Sequence, residues 1–263
     1  MAKPFAVKPL LIGPVRTGNA RSNRPASNLA LLDHHGMTWK TDGASNAWVA
    51  GEFDQATTVD FAAMISANAQ PGTTIRVRLG TSEAEVDGAG ATYDSGAQAF
   101  ISPAISHPSE LYHSHDEFSP VSVTHWRVDI GGHSGDFEAS GLILGKRLVP
   151  YEYQDRDFER GIEDLGTLDI GRNGVVSEVP GVVLRTLTFT LGWINWQEYE
   201  TKWRPLVEEL TTRGICYWCF NPEANAYRQD STYLGYFKIS LFARVHPQLD
   251  DIYTQEFRIR SII

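Results

Sequence analysis

The run Thr-Ile-Arg-Val-Arg-Leu at residues 74–79 alternates without exception. Ile75, Val77 and Leu79 fall on one face of an extended chain, and Arg76 and Arg78 fall on the other. A period of two cannot lay an apolar stripe along a helix, so the segment reads as a half-buried strand. Residues 125–130 repeat the pattern with Trp126, Val128 and Ile130 inward. Strands of this kind must bury their apolar face against a second layer. Between residues 20 and 147 the strand signals are short. Loops rich in Gly, Ser, Asp and Ala separate them, and no amphipathic helix of useful length intervenes. That pattern predicts a β-sandwich or jelly roll.

After about residue 148 the pattern changes. Leu187, Phe189 and Leu191 alternate with threonines, a further strand. Residues 195–214 then place Trp196, Tyr199, Trp203, Leu206, Val207 and Leu210 on one helical stripe. Asn195 and Glu198 have capping-box spacing, and Gly214 is a stop signal. Pro205 lacks an amide donor and should kink or split this helix. Strands are expected at 215–220, 233–245 and 253–262, the last with Tyr253, Phe257 and Ile259 on one side and Glu256, Arg258 and Arg260 on the other. One main helix on a mostly antiparallel sheet makes an α+β unit. Three prolines, Pro4, Pro9 and Pro14, favour an extended N-terminal arm over residues 1–20, able to lie on a neighbour. The arm has no long apolar run and does not read as a signal peptide, and nothing later reaches transmembrane length.

Lys and Arg number 23 against 32 Asp and Glu, for a net charge of −9. That disfavours a nucleic-acid binder, whose affinity rests on cationic contacts to phosphate. The two cysteines, Cys216 and Cys219, sit three apart in an apolar, aromatic strand. They therefore point to opposite faces and read as ordinary buried thiols, without a shared bond or metal.

Several segments resemble the galactose-binding-like (discoidin-type) jelly roll. They are Ser-Asn-Leu-Ala-Leu-Leu-Asp at 27–33, Met-Thr-Trp-Lys-Thr at 37–41, the strands at 56–61 and 71–78, Thr-His-Trp-Arg-Val-Asp-Ile at 124–130, and Leu-Ile-Leu-Gly at 142–145. Such a domain, running into Gly-Ile-Glu-Asp-Leu-Gly-Thr-Leu-Asp-Ile at 161–170 and a strand–helix–strand block, resembles tail-tip proteins of long-tailed bacteriophages and gene transfer agents. Within that group it is most similar to distal tail proteins. The resemblance implies a mainly β chain: a jelly roll at 21–147, then a tail-tube-like α+β belt at 148–263. It also implies a virion protein of the tail tip, assembled in the bacterial host cytoplasm. Its copies would form a ring, usually of six. The tail tube protein, the baseplate hub and the tape-measure protein would be its partners, and DNA only a passing cargo. Many distal tail proteins place the belt first; here the sandwich precedes it, which leaves a three-fold hub subunit as a variant. Arg258, Arg260 and Tyr236 are the candidates for inter-subunit contact.

The polar clusters are weighed against that reading. Asp33, His34 and His35 stand together before a glycine, a candidate metal site. The resemblance makes the segment a structural turn with Trp39 plugging one end of the sandwich; Asp33 is also a candidate calcium ligand, since galactose-binding-like domains often carry a structural calcium. His113, His115, Asp116 and Glu117 read as a solvated loop over 106–120. Trp48, Tyr93 and Tyr112 lie in or near predicted loops and are the candidates for stacking on a sugar, the alternative function being a carbohydrate-binding module for cell-surface glycans. The Gly-His-Ser-Gly at 132–135 lacks the full nucleophile motif and its strand–turn–helix setting. Neither an enzyme nor a cofactor is expected, nor any membrane binding.

Overall fold

The computed structural model describes residues 3–101, 111–152, 158–223, 226–238, 243–246 and 249–263. The chain is mainly β and divides into two units, each with its own core. The first holds residues 7–147 together with 223–230; the second holds the residues up to Ala6, then 148–222 and 231–263.

The opening segment serves both units and is not a free arm. Strand β1 (Phe5–Val7) belongs to the large sheet of the second unit. A short strand at Val15–Thr17 pairs with β2 (Trp48–Ile65) of the first.

The first unit is an antiparallel sandwich. β2 pairs with β4 (Asp116–Gly131), and β4 with β3 (Thr74–Gly80). On the far side of β2 lies β5 (Gly141–Gly145). A small second sheet joins Trp39–Lys40 to Glu138–Ala139. Ile75, Val77, Leu79, Trp126, Val128 and Ile130 all point into the core, as their alternation requires. Trp39 is fully buried, edge-on to Phe137 at 5.6 Å, and its indole N–H donates to the Asn19 carbonyl at 3.0 Å. The outer face of β3 and β4 is not simply solvated. Arg78 is buried there, donating to Asp129 at 2.7 Å and to the Gly88 carbonyl at 3.0 Å. Arg127 joins Asp87 and Asp129 beside it, at 2.8 and 2.9 Å. Two like charges directly opposite would repel, so the register Arg78↔Arg127 needs these carboxylates.

The second unit is an eight-stranded sheet covered by a broken helix. From a short strand at Arg147–Leu148 and β1 beside it, it runs through β10 (Cys216–Cys219), β11 (Thr232–Phe237), β13 (Leu249–Ser261) and β9 (Val183–Asn195) to β6 (Phe158–Asp164) at the edge. The expected strand 233–245 is two strands, β11 and β12 (Ala243–His246), with Ile239 and Leu241 outside the described residues. β13 spans 13 residues, long enough to pair with β11 near its C-terminal end and with β12 near its start. Cys216 and Cys219 are buried thiols of β10, not joined in a disulfide.

The helix splits around Pro205. α1 (Trp196–Glu198) opens into a wide π turn at Tyr199–Trp203 before α2 (Arg204–Leu210). Pro205 then sits in the first turn of α2, where its missing N–H leaves no bond unmade. The helix ends at Leu210, with Thr211 at φ 52° and the Gly214 N–H closing onto the Leu210 carbonyl at 2.7 Å. The wide turn also shifts the stripe: Trp196 is 55% exposed, whereas Glu198 is buried with Trp203, Leu206 and Leu210.

Candidate interaction surfaces

Beyond the sheet edge the chain projects a two-stranded ribbon. β6 and β9 pair up to Asp164↔Val183. The same two chain directions then continue as β7 (Thr167–Ile170) and β8 (Val176–Val179). Gly166 and Gly181 cross at the junction so closely that a Cβ on Gly181 would stand 2.0 Å from the Gly166 nitrogen. Gly174 takes φ +74° in the tip turn, a left-handed conformation that favours glycine. Every residue from 167 to 183 is exposed.

The register sorts the two faces of this ribbon. Leu168 lies opposite Glu178 and Ile170 opposite Val176, so Leu168, Ile170 and Val176 share one face with Glu178. Thr167, Asp169, Ser177 and Val179 share the other. The apolar face is open: Leu168 is 65%, Ile170 64% and Val176 57% exposed. Exposed apolar runs on unpaired strands mark contact surfaces or aggregation hazards. In the sequence, residues 161–170 stand out only for the resemblance they carry. The alternation there is visible, but nothing in it tells a ribbon standing free of the sheet from an ordinary half-buried strand.

The residues singled out from sequence do not come together. Trp48 carries the Arg127 guanidinium over its ring at 4.1 Å. Tyr93 stacks on Phe118 at 3.9 Å and donates its hydroxyl to Asp116 at 2.8–2.9 Å. Burial and the neighbouring carboxylate push that phenol's pKa upward. Tyr112 pairs its backbone with Ala67 and packs against the sandwich core. Each ring thus has its own surroundings, and the three build no common platform.

Asp33 and His34 bond each other at 2.9 Å on the surface, which lowers the Asp33 pKa. His35 meets the Ser140 hydroxyl at 3.2 Å, and burial lowers its pKa. Backbone bonds from His34 to Leu31 and from Met37 to His34 make the segment a pair of turns. The solvated loop expected at 106–120 is corrected for its described part; residues 106–110 lie outside the described residues. Asp116–Pro120 belong to β4. His113 and Ser114 are buried, accepting from the backbone N–H groups of Ser66 and Met64, both at 2.9 Å. Burial, with Arg228 and His113 adding like charge, holds the His115 pKa well below that of a free imidazole. Residues 223–230 supply Arg228, paired with Glu117, and Gln229, whose side chain meets the backbone of His113 and Leu111 at 3.2 and 3.1 Å. Among the described residues no group of three or more His, Cys, Asp or Glu side chains is placed to hold a metal ion.

The Gly-His-Ser-Gly loop is structural: His133 is buried edge-on to Phe137 and meets the Thr73 hydroxyl at 3.1 Å. Arg260 makes a two-point pair with Glu163 of β6, at 2.7 and 3.1 Å, and Arg258 pairs with Glu256 of its own strand at 2.6 Å. Tyr236 sits opposite Arg260 in the β11–β13 ladder. Each of these contacts lies within one chain.

A groove of about 200 Å³ opens on the sandwich between Lys8, Leu10 and Leu11 on one side and Phe53, Asp54, Gln55 and Thr57 on the other. It forms where the β2–β4 register slips between Glu52 and Thr57, a bulge that turns Asp54 and Gln55 out of the ladder. No helix among the described residues is long and apolar enough to cross a membrane.

No family model and no curated protein matches this sequence. Solved structures are similar over about half of the chain. A chitosan-binding module from a chitosanase/glucanase of Paenibacillus sp. IK-5 is 9% identical, covering 52% of this chain and 96% of its own, with a TM-score of 0.38. A fucose binding module of Streptococcus pneumoniae is 10% identical, covering 52% and 94%, with a TM-score of 0.40. The lectin domain of lectinolysin, complexed with Lewis B antigen, is 13% identical, covering 51% and 92%, with a TM-score of 0.36. At these identities and TM-scores the likeness assigns neither ligand nor activity to this chain.

Proposed function

We propose that this chain is a structural subunit that assembles with copies of itself, a ring component of the tail-tip kind its sequence resembles. The observation that carries the reading is the ribbon from β6 to β9, whose aliphatic side chains stand in solvent. Leaving them there is costly, since apolar surface gains about 25 cal/mol for each Å² removed from water. A partner that covers them recovers that free energy. In the resembling proteins the belt joins the tail tube to the baseplate hub, and those chains are the further partners under this reading. The purified protein is expected to run as a hexamer or trimer by light scattering over a range of concentration and salt. A monomer under every condition overturns the reading.

The groove beside Phe53 favours a second reading, a glycan-binding module. Its apolar floor and the polar Asp54, Gln55 and Lys8 at its rim are the combination a sugar needs. On that reading a glycan array gives a defined hit that Asp54→Ala with Gln55→Ala abolishes. A flat array removes it.

A further inference from the structure

We infer that residues 226–230 form an acid-released latch on the sandwich, closed only while the imidazoles of His113 and His115 are uncharged. The inference stands apart from both the assembly and the glycan readings. Gln229 docks the latch: its side chain accepts from the His113 backbone N–H at 3.2 Å and donates to the Leu111 carbonyl at 3.1 Å. Arg228 pairs with Glu117. All of these partners lie on the short run 111–117, which carries both histidines. The His113 ring is held from the other side. It is buried, and the Ser66 backbone N–H donates to its Nδ1 at 2.9 Å. A backbone N–H only donates, so Nδ1 carries no proton. An imidazolium has N–H on both nitrogens and cannot accept this bond. Protonation of His113 therefore breaks it and leaves the buried Ser66 donor unmade. The N–H of the same residue holds Gln229, so the break reaches the latch directly.

His115, two residues on, has its Nε2 buried. The cations that bear on it are Arg228 of the latch and His113. A proton on His115 sets like charge against the latch itself. The carboxylates of the cluster are already engaged. Asp116 accepts the Tyr93 hydroxyl at 2.8–2.9 Å. Glu117 is shared between Arg228 and Arg147, the latter at 2.8 Å. Asp60 of β2 accepts the Arg147 backbone N–H at 2.6 Å. On the latch, Tyr227 and Asp230 are exposed. The sign follows from where the proton is bound. Burial and the two cations hold the His115 pKa well below that of a free imidazole, about 6.5. Opening solvates the ring and restores its ordinary affinity. Below about pH 6.5 the open form thus binds more protons than the closed one, and acid favours opening; above it the latch is insensitive to pH. Between pH 7 and pH 5 one such ring raises the opening equilibrium about 25-fold, and two raise it about 600-fold.

The test is backbone hydrogen exchange of the full-length protein between about pH 7 and pH 5, corrected at each pH for the intrinsic rate. Protection of the Ser66 and His113 amides is expected to fall at least about 20-fold across that range. Val77 and Val128, in the core of the same sandwich, should keep theirs. His113→Asn retains an acceptor oxygen for the Ser66 N–H, and His115→Gln removes the second ring. Together they should make the protection of Ser66 and residue 113 level with pH. Protection of Ser66 and His113 that stays level in the unaltered protein overturns the inference. So does a fall shared equally by Val77 and Val128, which reports loss of the whole sandwich, and so does a pH dependence that survives both substitutions.

Discussion

Replacing Phe257 with alanine is expected to cost the α+β unit about 3–5 kcal/mol, the usual range for a large aromatic removed from a core. Phe257 stands at the middle of an aromatic cluster. It stacks on Phe189 at 5.3 Å and lies 5.0 Å from Trp218, 5.6 Å from Trp203 and 5.9 Å from Phe237. The cavity left behind is walled by rigid rings from three strands and the helix, which collapse poorly, so the loss should fall high in that range. Urea unfolding followed by tryptophan fluorescence reads it, because Trp203 and Trp218 touch the deleted ring. With a slope of roughly 2–3 kcal/mol per molar urea, the midpoint of that transition should fall by about 1–2 M. The sandwich holds a separate core around Trp39, Trp126 and Phe137, so its own transition should stay in place. A loss below about 1 kcal/mol would show that Phe257 does not organise this core.

That core was legible from the sequence in part. Leu187, Phe189, Leu191, Phe257 and Ile259 all face inward because period-two alternation is a local property of the chain. The same holds for the six inward residues of β3 and β4. The misses arise where distant segments decide the outcome. The alternation around 233–245 spans two strands because β13 is long enough to pair with both. Trp196 left its stripe because Pro205 forced a π turn two residues before it, and a stripe drawn at 3.6 residues per turn cannot register that shift. His113 and Ser114 look like loop residues until the end of β2 presents the backbone donors of Met64 and Ser66 to them, some fifty positions away. The candidate interaction surface is the extreme case. Leu168, Ile170 and Val176 carry an ordinary strand pattern, and only the pairing that ends at Asp164↔Val183 shows that, among the described residues, no strand of the large sheet lies against them.

The second large effect is expected at Glu198. Its place in the sequence marks it as the third residue of a capping box, and half of that box forms: the Asn195 side chain accepts from the Glu198 N–H at 2.8 Å. Its carboxylate has a different task. The side chain is buried, and Oε1 accepts from the Tyr151 backbone N–H at 2.9 Å and from the Trp203 indole N–H at 3.1 Å. Lys202 stands 3.9 Å from the same oxygen while its ammonium donates to the Val149 carbonyl at 2.8 Å. One carboxylate thus ties the π turn and the core indole to the segment that enters the unit at residues 149–151. Glu198→Ala deletes the acceptor of two covered donors. Each donor left unmade costs about 1–3 kcal/mol, so a total loss of about 3 kcal/mol is expected. Glu198→Gln keeps a carbonyl acceptor of nearly the same shape and gives up only the charge. It should retain most of the stability, with a loss of about 1 kcal/mol, because the Lys202 ammonium has a second oxygen to bond. The pair of variants separates acceptor from charge in one urea series. If both lose the same large amount, the negative charge holds the turn; if neither loses more than a few tenths of a kcal/mol, the tie between Tyr151 and Trp203 adds nothing to the fold.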